Sequence, residues 1–395
     1  MIELSKDNRN FFSEKKPWSK VKDELLECYL NPYFQKIFQT HRPTIYVDCF
    51  AGKGKFDDGS KGSPLIALEI IDKRTNTFTN VKAYFIESNY ADDLRKNLER
   101  YPCAEVLQGK YEDQIEEILS GKSNCNVFLY IDPYGIKSLN QKFLASLSNR
   151  FASIEILLNF NSWGFLRFAC KVLKVMINSE NEEFFTDLIE RDESENIKLE
   201  STLNDIAGGD YWIDIVEKYR DGKISFYQAE TVFTKEYCDH LRMVYRYVLN
   251  MPIRIEEHKP LKYRMIHATN HEDGAVIMAH NMFKRWELVK SSRPSPSLFH
   301  ENANEDFISK GDLNEKIKQH MMQFREFQTI NRITADFFNE FGVICSTSDI
   351  MKVGKDLEKN QKILVHRNPE RTEKGKPSTF WSESKEKILK LKWND

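Results

Sequence analysis

Three short apolar runs constrain this chain more than anything else in it, because each one ends in an acid. Ile45-Tyr46-Val47 leads to Asp48, Ala83-Tyr84-Phe85-Ile86 to Glu87, and Val127-Phe128-Leu129-Tyr130-Ile131 to Asp132. Runs of this length, rich in β-branched and aromatic residues and bounded by turn residues, predict strands buried on both faces. Two more such runs, Glu105-Val106-Leu107 and Ile154 to Phe160, alternate with helical stretches. That alternation predicts βαβ units, a parallel sheet and helices on both of its faces. Parallel strands carry their polar termini to one edge, so the three acids are expected to meet in a ligand crevice there.

The first of these termini is a glycine turn, Asp48-Cys49-Phe50-Ala51-Gly52-Lys53-Gly54. Gly52 and Gly54 permit a tight backbone, and main-chain N–H groups of Phe50, Ala51 and Gly52 are expected to close on a ligand together with Asp48. The turn lacks the Gly-x-Gly-x-x-Gly pattern of a pyrophosphate cradle, and no Gly-x-x-x-x-Gly-Lys-Ser/Thr loop exists elsewhere. A nucleoside without a phosphate chain fits better, and S-adenosylmethionine is the expected cofactor. Glu87, with Ser88 beside it, would take the ribose hydroxyls; Asp48 would hold the ammonium group. Tyr111, after the third strand, would flank the adenine.

Asp132-Pro133-Tyr134-Gly135 has the parts that methyl transfer to an exocyclic amine needs. The amine lone pair is conjugated with its ring, so acceptors must draw on the N–H bonds as nitrogen becomes tetrahedral. Asp132 and the Pro133 carbonyl can accept those bonds, and Tyr134 can stack on a flipped base. The same four residues also make an ordinary turn. Asn159-Phe160-Asn161-Ser162-Trp163 could line the acceptor pocket or belong to the core.

At 395 residues the chain exceeds one ordinary domain. The expected organisation is a Rossmann-like methyltransferase domain over 1–290, a linker over 291–308 and a winged helix-turn-helix domain over 309–395. Within the first domain a helical N-terminal extension occupies 1–43, with Pro32 and Pro43 marking its exit, and a helical insertion occupies about 164–258. The linker is read from Ser291-Ser292-Arg293-Pro294-Ser295-Pro296-Ser297. Beyond it, helices over 312–324, 330–341 and 349–359 are followed by a strand over 362–366, a turn, and a returning strand over Ser378-Thr379-Phe380-Trp381. The net charge of −2 gives no global attraction to nucleic acid, so such binding must come from a local patch. From Lys352 onward there are 12 Lys and Arg against 7 Asp and Glu. Lys352 and Lys355 on the third helix, with Arg367, Arg371, Lys374 and Lys376 on the wing, are the expected phosphate contacts.

Seven cysteines (Cys28, Cys49, Cys103, Cys125, Cys170, Cys238 and Cys345) form no Cys-x-x-Cys pair, which predicts neither a disulfide framework nor a zinc site and fits a reducing cytoplasm. No metal is expected. No apolar run approaches the roughly 18 residues of a membrane span, and the first residues lack the pattern of a secretory signal.

The strand-end motifs, with Gly62-Ser63-Pro64-Leu65-Ile66-Ala67-Leu68 and Tyr263-Arg264-Met265-Ile266-His267-Ala268-Thr269-Asn270-His271, resemble in their order the bacterial three-Cys-motif partner proteins, the TcmP family. The resemblance covers most of the chain. It implies a methyltransferase-like Rossmann fold followed by a winged helix, and a three-cysteine, radical-SAM-like protein as partner. The motif at 132–135 has one proline and looks closer to the Asp-Pro-Phe/Tyr-Gly of tRNA guanine-N2 methyltransferases than to the Asp/Asn-Pro-Pro-Tyr/Phe of DNA amino-methyltransferases. DNA and RNA both stay open as substrates. The expected activity is S-adenosylmethionine-dependent methylation of an exocyclic amino group of a nucleic acid base. The alternative is a non-catalytic S-adenosylmethionine-binding or nucleic-acid-binding module, a regulator or scaffold in a mobile-element or antiphage system.

Overall fold

A computed structural model of the chain describes residues 15, 17–75, 80–133, 135–177, 196–254, 261–291 and 310–394. Two compact units divide it, Met1–Asn270 and His271–Asp395. The first holds a seven-stranded sheet of order β3-β2-β1-β4-β5-β7-β6. Its strands are β1 (Thr44–Asp48), β2 (Val81–Glu87), β3 (Ala104–Gln108), β4 (Asn126–Ile131), β5 (Ser153–Phe160), β6 (Tyr247–Arg254) and β7 (Leu261–Thr269). The first five run parallel, and β7 is antiparallel to both β5 and β6. This is the mixed α/β, Rossmann-like architecture expected from the alternating pattern. The helices are α1 (Pro17–Ile37), α2 (Ser63–Thr75), α3 (Ala91–Leu98), α4 (Tyr111–Leu119), α5 (Gln141–Ser146), α6 (Ser162–Val172), α7 (Asn196–Ala207), α8 (Tyr211–Arg220) and α9 (Phe226–Arg242).

Successive side chains of a strand point to opposite faces, and the sheet sorts its residues accordingly. Ile45, Val47, Val127, Leu129, Ile131, Ile154 and Ile156 share one core with α4 through α9. Tyr46, Phe85 and Phe128 face the other way, with ring centroids of Tyr46 and Phe128 5.8 Å apart. Helix α1 covers that aromatic face: Tyr29 and Tyr33 lie 5.9 and 5.0 Å from Phe128. The Tyr29 hydroxyl also donates to Glu155, whose Oε2 lies 3.1 Å from His267 Nε2, all three residues being buried. Pro32 does not end α1 as expected but sits inside it, and the helix continues to Ile37. Burial of Tyr33, Phe34 and Phe38 beyond it outweighs the lost backbone hydrogen bond.

The tract 164–258 is helical only as far as Arg242; it closes with β6, which the sequence reading missed. A buried ion pair joins this tract to the sheet. Glu230 of α9, fully buried, accepts two bonds from Arg264 of β7 at 2.7 and 2.8 Å, and further bonds from the hydroxyls of Ser162 and Thr234. The surrounding negative charge of Glu230 holds the Arg264 guanidinium charged against its burial.

The second unit contains α10 (Glu272–Ser291), α11 (Lys310–Met322), α12 (Ile330–Phe341) and α13 (Thr347–Lys359), with a three-stranded antiparallel sheet ordered β8 (Gln328–Thr329), β10 (Ile388–Trp393), β9 (Ile363–Asn368). Helix α10, kept with the first domain in the sequence reading, packs on α12 and α13. The expected linker 291–308 lies outside the described residues except for Ser291. Ser346 caps α13 with a capping box closed by Asp349. The returning strand is Ile388–Trp393 rather than 378–381. Trp381 instead lies across Gly354 of α13, so close that a Cβ there would come within 2.3 Å of its ring. No helix among the described residues is long and apolar enough to cross a membrane.

Arg264→Met strands the Glu230 carboxylate in the core. It is expected to lower unfolding free energy of the first unit by about 3–5 kcal/mol in urea titrations, with Glu230→Gln on the same chain restoring part of the loss.

Candidate functional site

Register fixes the site. Asp48 of β1 pairs with Phe85 of β2 on one side and Tyr130 of β4 on the other. Glu87 and Asp132 therefore stand two residues beyond Asp48, on the strands flanking it, about two strand spacings or ~10 Å apart across the sheet. The sheet order reverses between β1 and β4, and at such a switch point the helices leave on opposite faces and open a crevice. The three acids are thus brought to one edge, as the sequence reading required.

Asp48 is fully buried. Its Oδ1 accepts from the Phe50 N–H at 3.3 Å, while Oδ2 makes no hydrogen bond of ordinary geometry. Burial pushes its carboxyl up to about 7; the Ser63 hydroxyl and the Phe50 amide oppose this, and Asp132 and Asp23 reinforce it. A desolvated carboxylate with an oxygen that lacks a hydrogen bond of ordinary geometry is chemically suited to a cationic group.

The glycine turn behaves differently from expectation. Gly52 and Gly54 adopt φ of 60° and 75°, as the tight backbone demands. Yet the N–H groups do not point at a ligand: Cys49 bonds the Tyr130 carbonyl, Phe50 bonds Asp48, Ala51 bonds the Ile86 carbonyl, and Gly52 donates to Glu87 Oε2 at 2.8 Å. These four donors are spent within the protein. At Gly54 a Cβ would meet the Leu94 side chain at 2.8 Å and push it aside, besides straining a backbone at φ 75°. Glu87 Oε1 already accepts from the amides of Asn89 and Tyr90 at 2.7 and 3.2 Å. Oε2, with one donor, keeps room for one hydroxyl, so bonding both ribose hydroxyls requires the 89–90 turn to yield.

Ser88 donates to the Gly109 carbonyl at 2.7 Å, tying the loops after β2 and β3 together. Phe50 and Tyr111 pack on one another, centroids 5.4 Å apart. Tyr111 is buried within the core, its ring against Phe143 as well, rather than standing open beside the crevice. Cys49 is buried, and desolvation drives its thiol pKa well up, as for a cysteine that fills core space.

Asp132 is held from both sides. Oδ1 accepts from Asn159 Nδ2 and Oδ2 from Lys22 Nζ, each at 2.5 Å, with the Tyr130 hydroxyl 3.4 Å from Oδ2. Pro133 is buried and Gly135 exposed, while Tyr134 lies outside the described residues. Lys22 was not foreseen. It comes from α1, its ammonium 5.4 Å from the centre of the Tyr263 ring. Its neighbour Asp23 pairs with Lys15 at 2.5 Å, and burial raises the Asp23 carboxyl to about 6. Of the Asn159–Trp163 group, Asn159 reaches the site; Asn161 caps α6, and Phe160 and Trp163 are core.

In the second unit Lys352 and Lys355 are exposed on α13, as are Arg371, Lys374 and Lys376 after β9. Arg367 is different: it forks onto Glu358 with two bonds of 2.7 Å and donates a third to the Phe380 carbonyl. That guanidinium fastens α13 to the sheet.

A comparison with protein-family models finds no match, and one with curated proteins finds none. Solved structures give distant likenesses. A putative methyltransferase, yhhF, from Escherichia coli is 19% identical over 33% of this chain and 66% of its own, with a TM-score of 0.22. A putative O-methyltransferase from Klebsiella pneumoniae is 10% identical over 66% and 93%, at 0.31. The spermidine synthase of Thermotoga maritima is 11% identical over 73% and 69%, at 0.32.

The pH response of Asp48 follows from its raised pKa. The folded protein keeps a proton that the unfolded chain releases, so without a bound cation stability falls as pH rises from about 4 to about 7. Asp48→Asn is expected to gain stability relative to wild type at pH 8 by something on the order of 2 kcal/mol and little at pH 4, as read by thermal melts. Asp23, raised to about 6, leaves a shallower slope of the same sign in that variant.

Proposed function

We propose that this chain is an S-adenosylmethionine-dependent methyltransferase acting on an exocyclic amino group of a nucleic acid base. One observation carries the reading: Asp48, Glu87 and Asp132 meet at the switch-point edge, with a bare buried oxygen on the first and a two-sided clamp on the last. The residues suit the cofactor. Asp48 Oδ2 would take its ammonium group, and Glu87 Oε2 would accept a ribose hydroxyl. When bound, the cofactor supplies an electrophilic methyl on a sulfonium. Asp132, oriented by Asn159, would accept an N–H of the acceptor amine, freeing the nitrogen lone pair from ring conjugation. The Pro133 carbonyl would be the second acceptor, and Tyr134 the stacking ring.

We further read the second unit as a winged helix. Its order after α10, helix, short strand, two helices and two strands, supports this, with α13 as recognition helix and the 369–387 segment as wing. Lys352, Lys355, Arg371, Lys374 and Lys376 would contact phosphate. Arg367 drops out of that set because Glu358 and Phe380 already hold it. The three-Cys-motif, radical-SAM-like partner belongs to the same proposal, through the motif resemblance.

A second reading is favoured by one contact. Lys22 already sits on Asp132, as it would in a non-catalytic module whose acceptor side is closed. Incubation with labelled S-adenosylmethionine and total RNA, DNA and protein in parallel separates the two. Label is expected in nucleic acid, and Asp132→Ala is expected to reduce it about 100-fold or more while calorimetry still detects cofactor binding. Label entering protein alone overturns the nucleic acid substrate, and no label with wild type overturns the enzymatic reading.

For the second unit, nucleic acid affinity should fall steeply with salt. Neutralising Lys352, Lys355, Arg371, Lys374 and Lys376 together is expected to flatten the log–log salt slope by about 3.5–4.5. An unchanged slope would remove the phosphate role from this set.

A further inference from the structure

We propose that Lys22 is a specificity residue of the acceptor side: its ammonium stands where the acceptor nitrogen belongs and moves to a substrate phosphate when that nitrogen arrives. The proposal rests on the reading of Asp132 as the acceptor-binding carboxylate. Lys22 Nζ donates to Asp132 Oδ2 at 2.5 Å beside the Tyr263 ring, so a nitrogen donor already lies on this carboxylate against an aromatic neighbour. The Asp132 side chain is the more open partner, 24% exposed against 9% for Lys22, so an incoming group reaches the carboxylate before the lysine. Asn159 keeps its 2.5 Å bond to the other oxygen, and Asp132 therefore stays oriented when Lys22 departs.

Lys22 cannot remain in place through the reaction without cost. Methyl transfer puts positive charge on the acceptor nitrogen, and two cations sharing one carboxylate oxygen repel. The neighbouring acids offer no ready substitute for Asp132. Asp23 is already paired with Lys15 at 2.5 Å. Asp48 serves the cofactor's ammonium in the reading above. A displaced Lys22 thus needs an anion from outside, and a nucleotide brings one in its phosphate whereas a bare nucleoside does not. The flexible four-carbon stem of lysine suits the exchange. Acceptors with the same amine are thereby sorted by whether they carry a phosphate.

The test uses the full chain with S-adenosylhomocysteine bound, and calorimetry with the four common nucleosides and their 5′-monophosphates, so no turnover is needed. Wild type is expected to prefer a monophosphate over its nucleoside by roughly tenfold. Lys22→Met should erase that preference in two directions, tightening the nucleoside and weakening the monophosphate. Lys22→Arg should preserve it. A merely structural lysine would lower Tm and weaken both ligands alike, and that result overturns the proposal. Should monophosphates bind with a preference that Lys22→Met leaves unchanged, this proposal falls and the nucleobase reading stands. If neither ligand class binds wild type, the nucleobase reading falls and this proposal with it.

Discussion

Carboxylates repel one another and resist desolvation, yet the parallel register of β2, β1 and β4 brings three of them to one edge, with Asp48 in the middle fully buried. Everything distinctive about the site answers that constraint. Glu87 is neutralised locally by three backbone amides from its own loop and the glycine turn. Asp132 is balanced by an ammonium and an amide. Asp48 alone lacks a full answer within the protein and holds its proton up to about pH 7. The edge thus holds two acids with several hydrogen-bond donors each and one, at its centre, with fewer.

Helix α1 belongs to this balance as much as the strands do. Its aromatic residues cover the Tyr46–Phe128 face, Tyr29 is fixed to Glu155, and one turn of the same helix supplies Lys22 and Asp23. Packing in the middle of the helix therefore determines where its charges stand. A change in the aromatic layer would be felt at Asp132 through a rigid element, without any intervening network of polar contacts.

The sheet and the three acids were legible because a buried parallel strand writes itself as a continuous apolar run, and Asp48, Glu87 and Asp132 each stop such a run. The strand β6 was not. Pro252 within Tyr247–Arg254 argues against a strand, but β6 lies at the sheet's edge, where a missing N–H is tolerated. Lys22 and Asp23 were illegible for another reason: charges on an amphipathic helix ordinarily face water, and only tertiary packing reveals that these two do not. The aromatic pair Phe380-Trp381 suggested a strand, whereas Trp381 fills the notch at Gly354. The true strand announced itself more quietly, in the alternation Leu389, Lys390, Leu391, Lys392. The turn's donors were misassigned since sequence reveals that glycines bend a chain, but not where the freed amides end up.

The place of β7, inserted antiparallel between β5 and β6, has a bearing on how such a chain is born. Until residues 261–269 emerge, β5 offers an apolar, almost wholly buried strand with one unpaired flank. That flank stays open while roughly a hundred residues are added, a long window for sticking to other nascent chains. Helices α6 to α9, which leave directly from the tip of β5 and share its hydrophobic core, are positioned to shelter its face in the interval. The tract that interrupts the alternating pattern can thus be understood as a built-in escort for the half-finished sheet.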